Sequence, residues 1–384
     1  MLNKRENKEV LEYIRTEVPK IINTNPSFVS IFGNKMAENN LRNNVIRVYT
    51  NEISKMYLGY FENRSITICA SGKFGKKLKV KDIINNKTLM EAVVHECIHA
   101  ILYRRDSKST GILQKYNNKE DGENEAGRGL NEGYTVWLCK KLGFAGNHYR
   151  SLTKIVGQIE CARGTERTMD LGRGIENINF YANLGLGMKN GKKLIIDTDT
   201  IYWLNFQIEY LNEMKGEIVE GKTIGQIKKR LSKYEIYELD EYIEELEENS
   251  TKEDMLQYIS DSIKERKAKR DLFIWKTEKM IFEEFFLEDF RIMMKSTFVS
   301  QELLKKMSKY QALLNSLKID IPEEEKESEF AKFIAIPLIT NKKMNRVYEQ
   351  RTKSTANTRN LGKSRAYSTN NIERENIEEV DRGK

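Results

Sequence analysis

Three histidines occur in the chain, and two of them stand in the run His95-Glu96-Cys97-Ile98-His99. On a helix, residues i and i+4 lie one above the other on the same face, so both imidazoles can point at one ion. A glutamate beside the first imidazole can reach water held by that ion. The chemistry open to such a set is metal-assisted hydrolysis, and zinc suits its nitrogen donors. Chance placement of this pattern in a histidine-poor chain is on the order of one in a hundred or less.

A catalytic zinc site takes three protein ligands and keeps one position for water. His95 and His99 would supply two. The third candidate is Glu132, in Leu130-Asn131-Glu132-Gly133-Tyr134-Thr135, on a second predicted helix 33 residues after His99. Glu123 and Glu125 are rivals, placed in or at the end of a loop where a rigid ligand is harder to hold. The remaining histidine, His148, is not required. The residues around the histidines (Val93, Val94, Ile98, Ala100, Ile101) are apolar. Two imidazoles and a carboxylate on so buried a helix are costly to desolvate unless something pairs with them, and a metal would do so.

These side chains need rigid elements to carry them. Residues 7–24 have apolar positions at Leu11, Ile14, Val18 and Ile21, the period of an amphipathic helix. Val45–Tyr49 and Ser65–Cys69 are short and rich in β-branched residues, and read as strands, with Leu58–Phe61 as a third. Leu89–Arg104 reads as the long helix with the histidines. Thr88 or Asn86 is its N-cap, and Glu91 would complete a capping box with Thr88. The polar stretch 106–124 reads as a mobile surface loop. A second helix is expected from about Ala126 to Leu142, ended by Gly143, and a third from about Tyr149 to Cys161. A glycine-containing region, 164–190, leads to a strand at Lys192–Ile196. From Thr200 to about Lys318 the pattern is helical nearly throughout and lacks strict heptads, which predicts a bundle rather than a coiled coil.

The fold class expected is α+β. A mainly helical domain with a small N-terminal twisted β-sheet spans 1–190, a helical extension 191–340, and a disordered basic tail 341–384. The net charge of +8 comes mostly from that tail, where Asn341–Arg365 holds eight Lys or Arg against one Glu. The near-neutral body argues against a nucleic-acid enzyme and leaves the tail as the one part suited to nucleic acid or a membrane surface. No apolar stretch approaches the ~20 residues of a membrane span, and no signal peptide is read. Cys69, Cys97, Cys139 and Cys161 lack CxxC spacing and read as small core residues of a reducing compartment, so a cytoplasmic location is expected. Oligomeric state is left open.

His95-Glu96-x-x-His99 followed by Asn131-Glu132 resembles the zincin metallopeptidases, and within them the gluzincin branch, whose third ligand is a glutamate on a later helix. The Asn-Glu-Gly-Tyr-Thr run is similar to that of zincin-like proteins of low-GC Gram-positive bacteria, in keeping with the Asn-, Lys- and Ile-rich composition. The resemblance covers roughly residues 40–165. It implies a zincin fold with an edge strand along the substrate cleft, a Zn2+ cofactor, and peptide-bond hydrolysis acting on a protein or peptide. Thermolysin-like enzymes carry an Asp four residues after the ligand glutamate, where it orients a histidine. Val136 stands there in this chain, so that support must come from elsewhere.

The implied mechanism assigns Glu96 as general base. It also needs a donor for the developing oxyanion, for which Tyr149 is the first choice, with His148, Arg150, Tyr134 and Tyr181 as further options. Cys97 and Trp137 read as core residues. A second reading, from another class, is a catalytically silent zincin-fold scaffold or binding protein that works through its C-terminal helices.

Overall fold

A computed structural model describes residues 5–51, 59–69, 78–118, 122–144, 148–223, 225–226, 251–296, 299–315 and 322–336. The basic tail 341–384 lies outside these residues, as do Leu58 and 227–250.

Residues 8–44 form four short helices: α1 (Lys8–Thr16), α2 (Val18–Ile22), α3 (Pro26–Phe32) and α4 (Met36–Asn44). The single helix expected over 7–24 is therefore broken. Glu17 closes α1, and Pro19 sits in the first turn of α2, where its missing N–H costs nothing. Of the expected stripe, Ile14 and Val18 are fully buried, while Leu11 and Ile21 are half-buried and their neighbours Val10 and Ile22 take the core positions.

Among the described residues the sheet has four strands in the order β1 (Arg5–Glu6), β2 (Arg47–Asn51), β4 (Ser65–Cys69), β3 (Gly59–Glu62). β2 runs parallel to β4, while β3 is antiparallel to it and forms an edge. Val48, Ile66 and Ile68 are fully buried, which suits β-branched residues on a pleated surface. β3 and β4 are joined by Asn63-Arg64, both with positive φ (49° and 61°). That is the two-residue turn whose twist matches a hairpin.

α5 (Val80–Ile84) leads to the histidine helix α6 (Lys87–Ile101). Its cap is Asn86, whose side-chain oxygen accepts from Leu89 N–H at 3.2 Å; the box of Thr88 with Glu91 does not form. The stretch expected to be a loop instead holds two hairpins, β5 (Tyr103–Arg104) with β6 (Ser109–Thr110) and β7 (Gln114–Asn118) with β8 (Gly122–Ala126). Its polar composition concealed the alternation, but backbone pairing needs no apolar side chains. α7 (Arg128–Lys141) and α8 (Arg150–Arg163) then pack side by side, followed by α9 (Thr165–Asp170), a 3-10 turn and α10 (Phe180–Leu184).

The strand expected at Lys192–Ile196 is absent. Those residues lie inside α11 (Gly187–Val219), a helix of 33 residues that also runs through the boundary expected near 190. Ile195 and Ile196 have β propensity, but burial of Leu194, Ile195 and Ile201 at helical spacing decides the outcome. α11 packs against the helix Lys252–Phe285 through Ile208, Leu211, Met214, Ile259 and Ile263.

The chain divides into two compact units. The first is Met1–Glu284 with Leu313–Pro322, and it holds every element named so far save the last residue of the helix Lys252–Phe285. The second comprises Phe285–Ala312 and the residues from Glu323 on. Its core is aromatic: Phe286 stacks on Tyr310 at 3.7 Å between centroids, and Phe333 lies 5.8 Å from Tyr310 and 5.5 Å from Phe290.

α7 lies very close to both neighbours, and two glycines permit it. A Cβ on Gly129 would sit 2.0 Å from the Thr198 carbonyl oxygen of α11, and one on Gly133 would sit 2.7 Å from the Leu152 carbonyl oxygen of α8. On an open helix, Gly→Ala stabilises by about 1 kcal/mol. Here the sign should reverse. Gly129→Ala and Gly133→Ala are each expected to destabilise by about 1–3 kcal/mol in denaturant unfolding; a gain in stability for either would contradict the packing described.

Candidate metal centre

α6 presents His95 and His99 one turn apart, and α7 crosses them with Glu132. The three side chains meet. His95 Nε2 lies 3.0 Å from His99 Nε2 and 3.1 Å from Glu132 Oε2, and His99 Nε2 lies 3.4 Å from the same oxygen. Among the described residues this is the one group of three His, Cys, Asp or Glu whose ligand atoms converge in this way. Donors about 2.0–2.1 Å from a tetrahedral ion stand about 3.3–3.4 Å apart. The observed spacing is close to that edge. The donor set, two imidazole nitrogens and one carboxylate oxygen, is also one that zinc accepts. The residues fit the ion.

Burial sharpens the point. The side chains of His95, His99 and Glu132 are 16%, 8% and 12% exposed. Burial pushes the Glu132 carboxyl up, but His99 and His95 outweigh it and hold it well below the usual carboxylate range. Glu132 therefore stays ionised beside two imidazole nitrogens, a donor set that a cation would stabilise.

Glu96 lies beside the ligands, on the side of α6 that faces β3. A Cβ on Gly59 would touch Glu96 Cγ at 3.0 Å, so β3 presses directly onto this side chain. Burial pushes Glu96 up to about 7. His95 and the Phe61 N–H pull it down, and Glu132 pushes it up further. The two neighbouring carboxyls are thus held far apart in proton affinity, one by its imidazole partners and the other by its apolar enclosure.

These groups open into a cleft of about 470 Å³. β3 forms one wall, the stretch from Lys108 to Lys115 another, and Arg128, Tyr149 and Tyr202 the remainder. Tyr149, at the start of α8 with φ 51°, has its ring 6.5 Å from that of His95. It is hydrogen-bonded to Tyr202, a residue of α11 that sequence reasoning did not single out. Arg128 stands one turn before Glu132. It pairs with Glu125, through Nη2 and Oε2 at 2.6 Å, and lies over the Tyr202 ring.

The other sequence candidates lie elsewhere. Tyr134 is fully buried and donates to the Met169 carbonyl at 2.7 Å, so it is not a donor for the cleft. His148, Arg150 and Tyr181 do not line the cleft. Of the rival ligands, Glu125 is committed to Arg128, and the side chain of Glu123 lies outside the described residues. Cys97 is fully buried, and Trp137 is a core residue whose Nε1–H donates to Glu160. No family model matches the chain, and no curated protein or solved structure matches it either.

The N-terminus of α7 is held from a distance. Asp199 of α11 accepts from Gly127 N–H and Gly129 N–H, each at 2.7 Å. Burial raises its carboxyl from 3.8 to about 6, against the pull of those two N–H groups. The folded chain therefore binds an extra proton between about pH 4 and 6. The group's contribution to stability is complete below about pH 4 and is lost as pH rises through about 6. Asp199→Asn lacks this slope. The stability difference, unaltered chain minus Asp199→Asn, should fall between about pH 4 and 6 and level off above it in denaturant melts. A difference independent of pH would contradict the assignment.

Proposed function

We propose that the chain is a zinc-dependent hydrolase that cuts peptide bonds, with His95, His99 and Glu132 as ligands and Glu96 as general base. The observation that carries this reading is the convergence of three ligand atoms, 3.0, 3.1 and 3.4 Å apart, at the floor of an open cleft. Zinc held there would polarise the scissile carbonyl and bring the pKa of a coordinated water to about 7.

The chain's own groups would do the rest. The Glu96 carboxylate would take a proton from the attacking water and pass it to the leaving nitrogen, so that carboxylate is regenerated as the C–N bond breaks. The Phe61 N–H would hold that carboxylate in place. β3 is an edge strand lining the cleft, and an extended peptide could lie beside it and use the backbone groups not paired to β4. Tyr149 would donate its hydroxyl to the oxyanion, with Tyr202 and Arg128 behind it.

The test is metal analysis combined with hydrolysis of a mixed peptide library. The chain should hold about one zinc, lost in His95→Ala. Glu96→Gln should keep the metal while hydrolysis falls on the order of 10²–10⁴-fold. Tyr149→Phe should also keep it, with kcat lowered on the order of 10²-fold and KM little changed. Zinc binding with no cleavage of any library member would support the scaffold reading instead. Cleavage that survives Glu96→Gln would refute the role given to that residue.

A further inference from the structure

A cleft lined by charges of one sign concentrates ligands of the other, because its low-dielectric walls focus the field. A zinc ion in the candidate centre would balance the carboxylates of Glu96 and Glu132. The sign of this cleft is then set by its other lining residues. Lys108 and Lys115 line one wall, with Arg128 beside them. Among the described residues, Glu62 is the one acid that lines the cleft outside the centre. It is exposed at the end of β3. Strand alternation turns its side chain away from the face on which Gly59 meets Glu96 and Phe61 meets Tyr103.

Two of the three cations lack a counter-charge. Glu125 stands directly across from Lys115 in the β7–β8 register, so the two side chains share one face of the hairpin. Its carboxylate goes to Arg128 instead, through Oε2 and Nη2 at 2.6 Å. Among the described residues neither the Lys115 nor the Lys108 ammonium is ion-paired. Lys115 is half-buried and Lys108 exposed. A half-buried ammonium without a partner gains from a carboxylate brought to it. The wall is also fixed in place. Thr110 Oγ1 donates to the His99 carbonyl at 2.5 Å, Gly111 N–H to the Leu102 carbonyl at 3.1 Å, and Ile112 N–H to Asn131 Oδ1 at 3.0 Å. Lys115 N–H donates to Ser109 Oγ at 3.0 Å, which joins the two hairpins. The Gly111 turn thus ties both lysines to α6 and α7, on the cleft that holds His95 and His99.

We propose that the cleft selects acidic peptides, with Lys108 and Lys115 as the specificity-determining residues that receive Asp or Glu side chains near the scissile bond; the cleavage itself rests on the hydrolase reading above. The two lysines are spread along a wall rather than gathered at a point. Arg128, the group best shaped to clamp one terminal carboxylate, is already engaged by Glu125. Acidic side chains therefore fit this wall better than the α-carboxylate of a chain end. Neither lysine touches the reacting atoms, so loss of either acts on KM and leaves kcat nearly unchanged.

The experiment uses the zinc-loaded full chain and peptides acetylated at one end and amidated at the other, in acidic, neutral and basic sets of equal length. Hydrolysis gives kcat and KM, and calorimetry gives dissociation constants. The acidic set should be cut with kcat/KM on the order of tenfold above the neutral set, and high salt should shrink that advantage. Lys115→Glu should abolish the preference through KM, and Lys108→Glu with Lys115→Glu should turn it towards the basic set. Lys115→Gln, a milder change, should weaken it in the same direction if the charge reversals fail to fold. Zinc content should be the same in every variant. Equal cleavage of the acidic and neutral sets, or a preference untouched by these variants, would overturn the inference and leave the hydrolase reading standing. A preference seen only when the C-terminus is left free would overturn it in favour of a terminal carboxylate. Tighter binding of the acidic set through the two lysines, with no cleavage, would overturn hydrolysis and keep the acidic ligand. Neither cleavage nor such binding would overturn both.

Discussion

Glu132 can reach the two histidines only because α7 lies nearer to its neighbours than side chains would ordinarily allow. Gly129 meets the backbone of α11 and Gly133 meets that of α8 with no Cβ between. The two glycines flank Asn131 and Glu132 in sequence, so the candidate ligand lies on the part of α7 that is pinned on both sides. α6 supplies the opposite half with no such device, since the i, i+4 spacing of His95 and His99 aligns them on any regular helix. What the centre requires is that the second helix arrive at the right height and stay there.

The enclosure makes that requirement strict. Two imidazoles and an ionised carboxylate sit in a site where each is less than a fifth exposed. A group of this kind is stable only when fully partnered, because an unpaired member in a low-dielectric setting is far more costly than in water. The surrounding elements supply partners at several removes. β3 covers Glu96, the Gly111 turn holds Asn131 and His99, and Asp199 caps the start of α7. α11 contributes twice, since Tyr202, three residues after Asp199, stands in the cleft beside Tyr149.

How much of this was legible in the sequence follows from how local each feature is. His95, Glu96 and His99 could be read because their geometry is set by one helix. Glu132 could be read because an Asn-Glu pair opened a second helical pattern soon after the first. The strands at Arg47–Asn51 and Ser65–Cys69 announced themselves by β-branched residues. Asp199 and Tyr202 could not be found in this way. They lie roughly 50–70 residues from the groups they support, in a helix whose pattern gives no sign of facing a site. The hairpins between Tyr103 and Ala126 were hidden for a different reason. Their pairing is carried by backbone groups and by turns at residues such as Lys108, with φ 52°, while the side chains read as loop. The strand expected at Lys192–Ile196 shows local propensity losing to the burial of a long helix.

The most direct test of the account is a crystal structure of the zinc-soaked chain with anomalous scattering recorded on both sides of the zinc absorption edge. The account predicts one strong peak bonded to His95 Nε2, His99 Nε2 and a Glu132 carboxylate oxygen at about 2.0–2.2 Å, with Glu96 adjacent but not coordinating. No peak at this position, or a bound ion from which Glu132 points away, would contradict it.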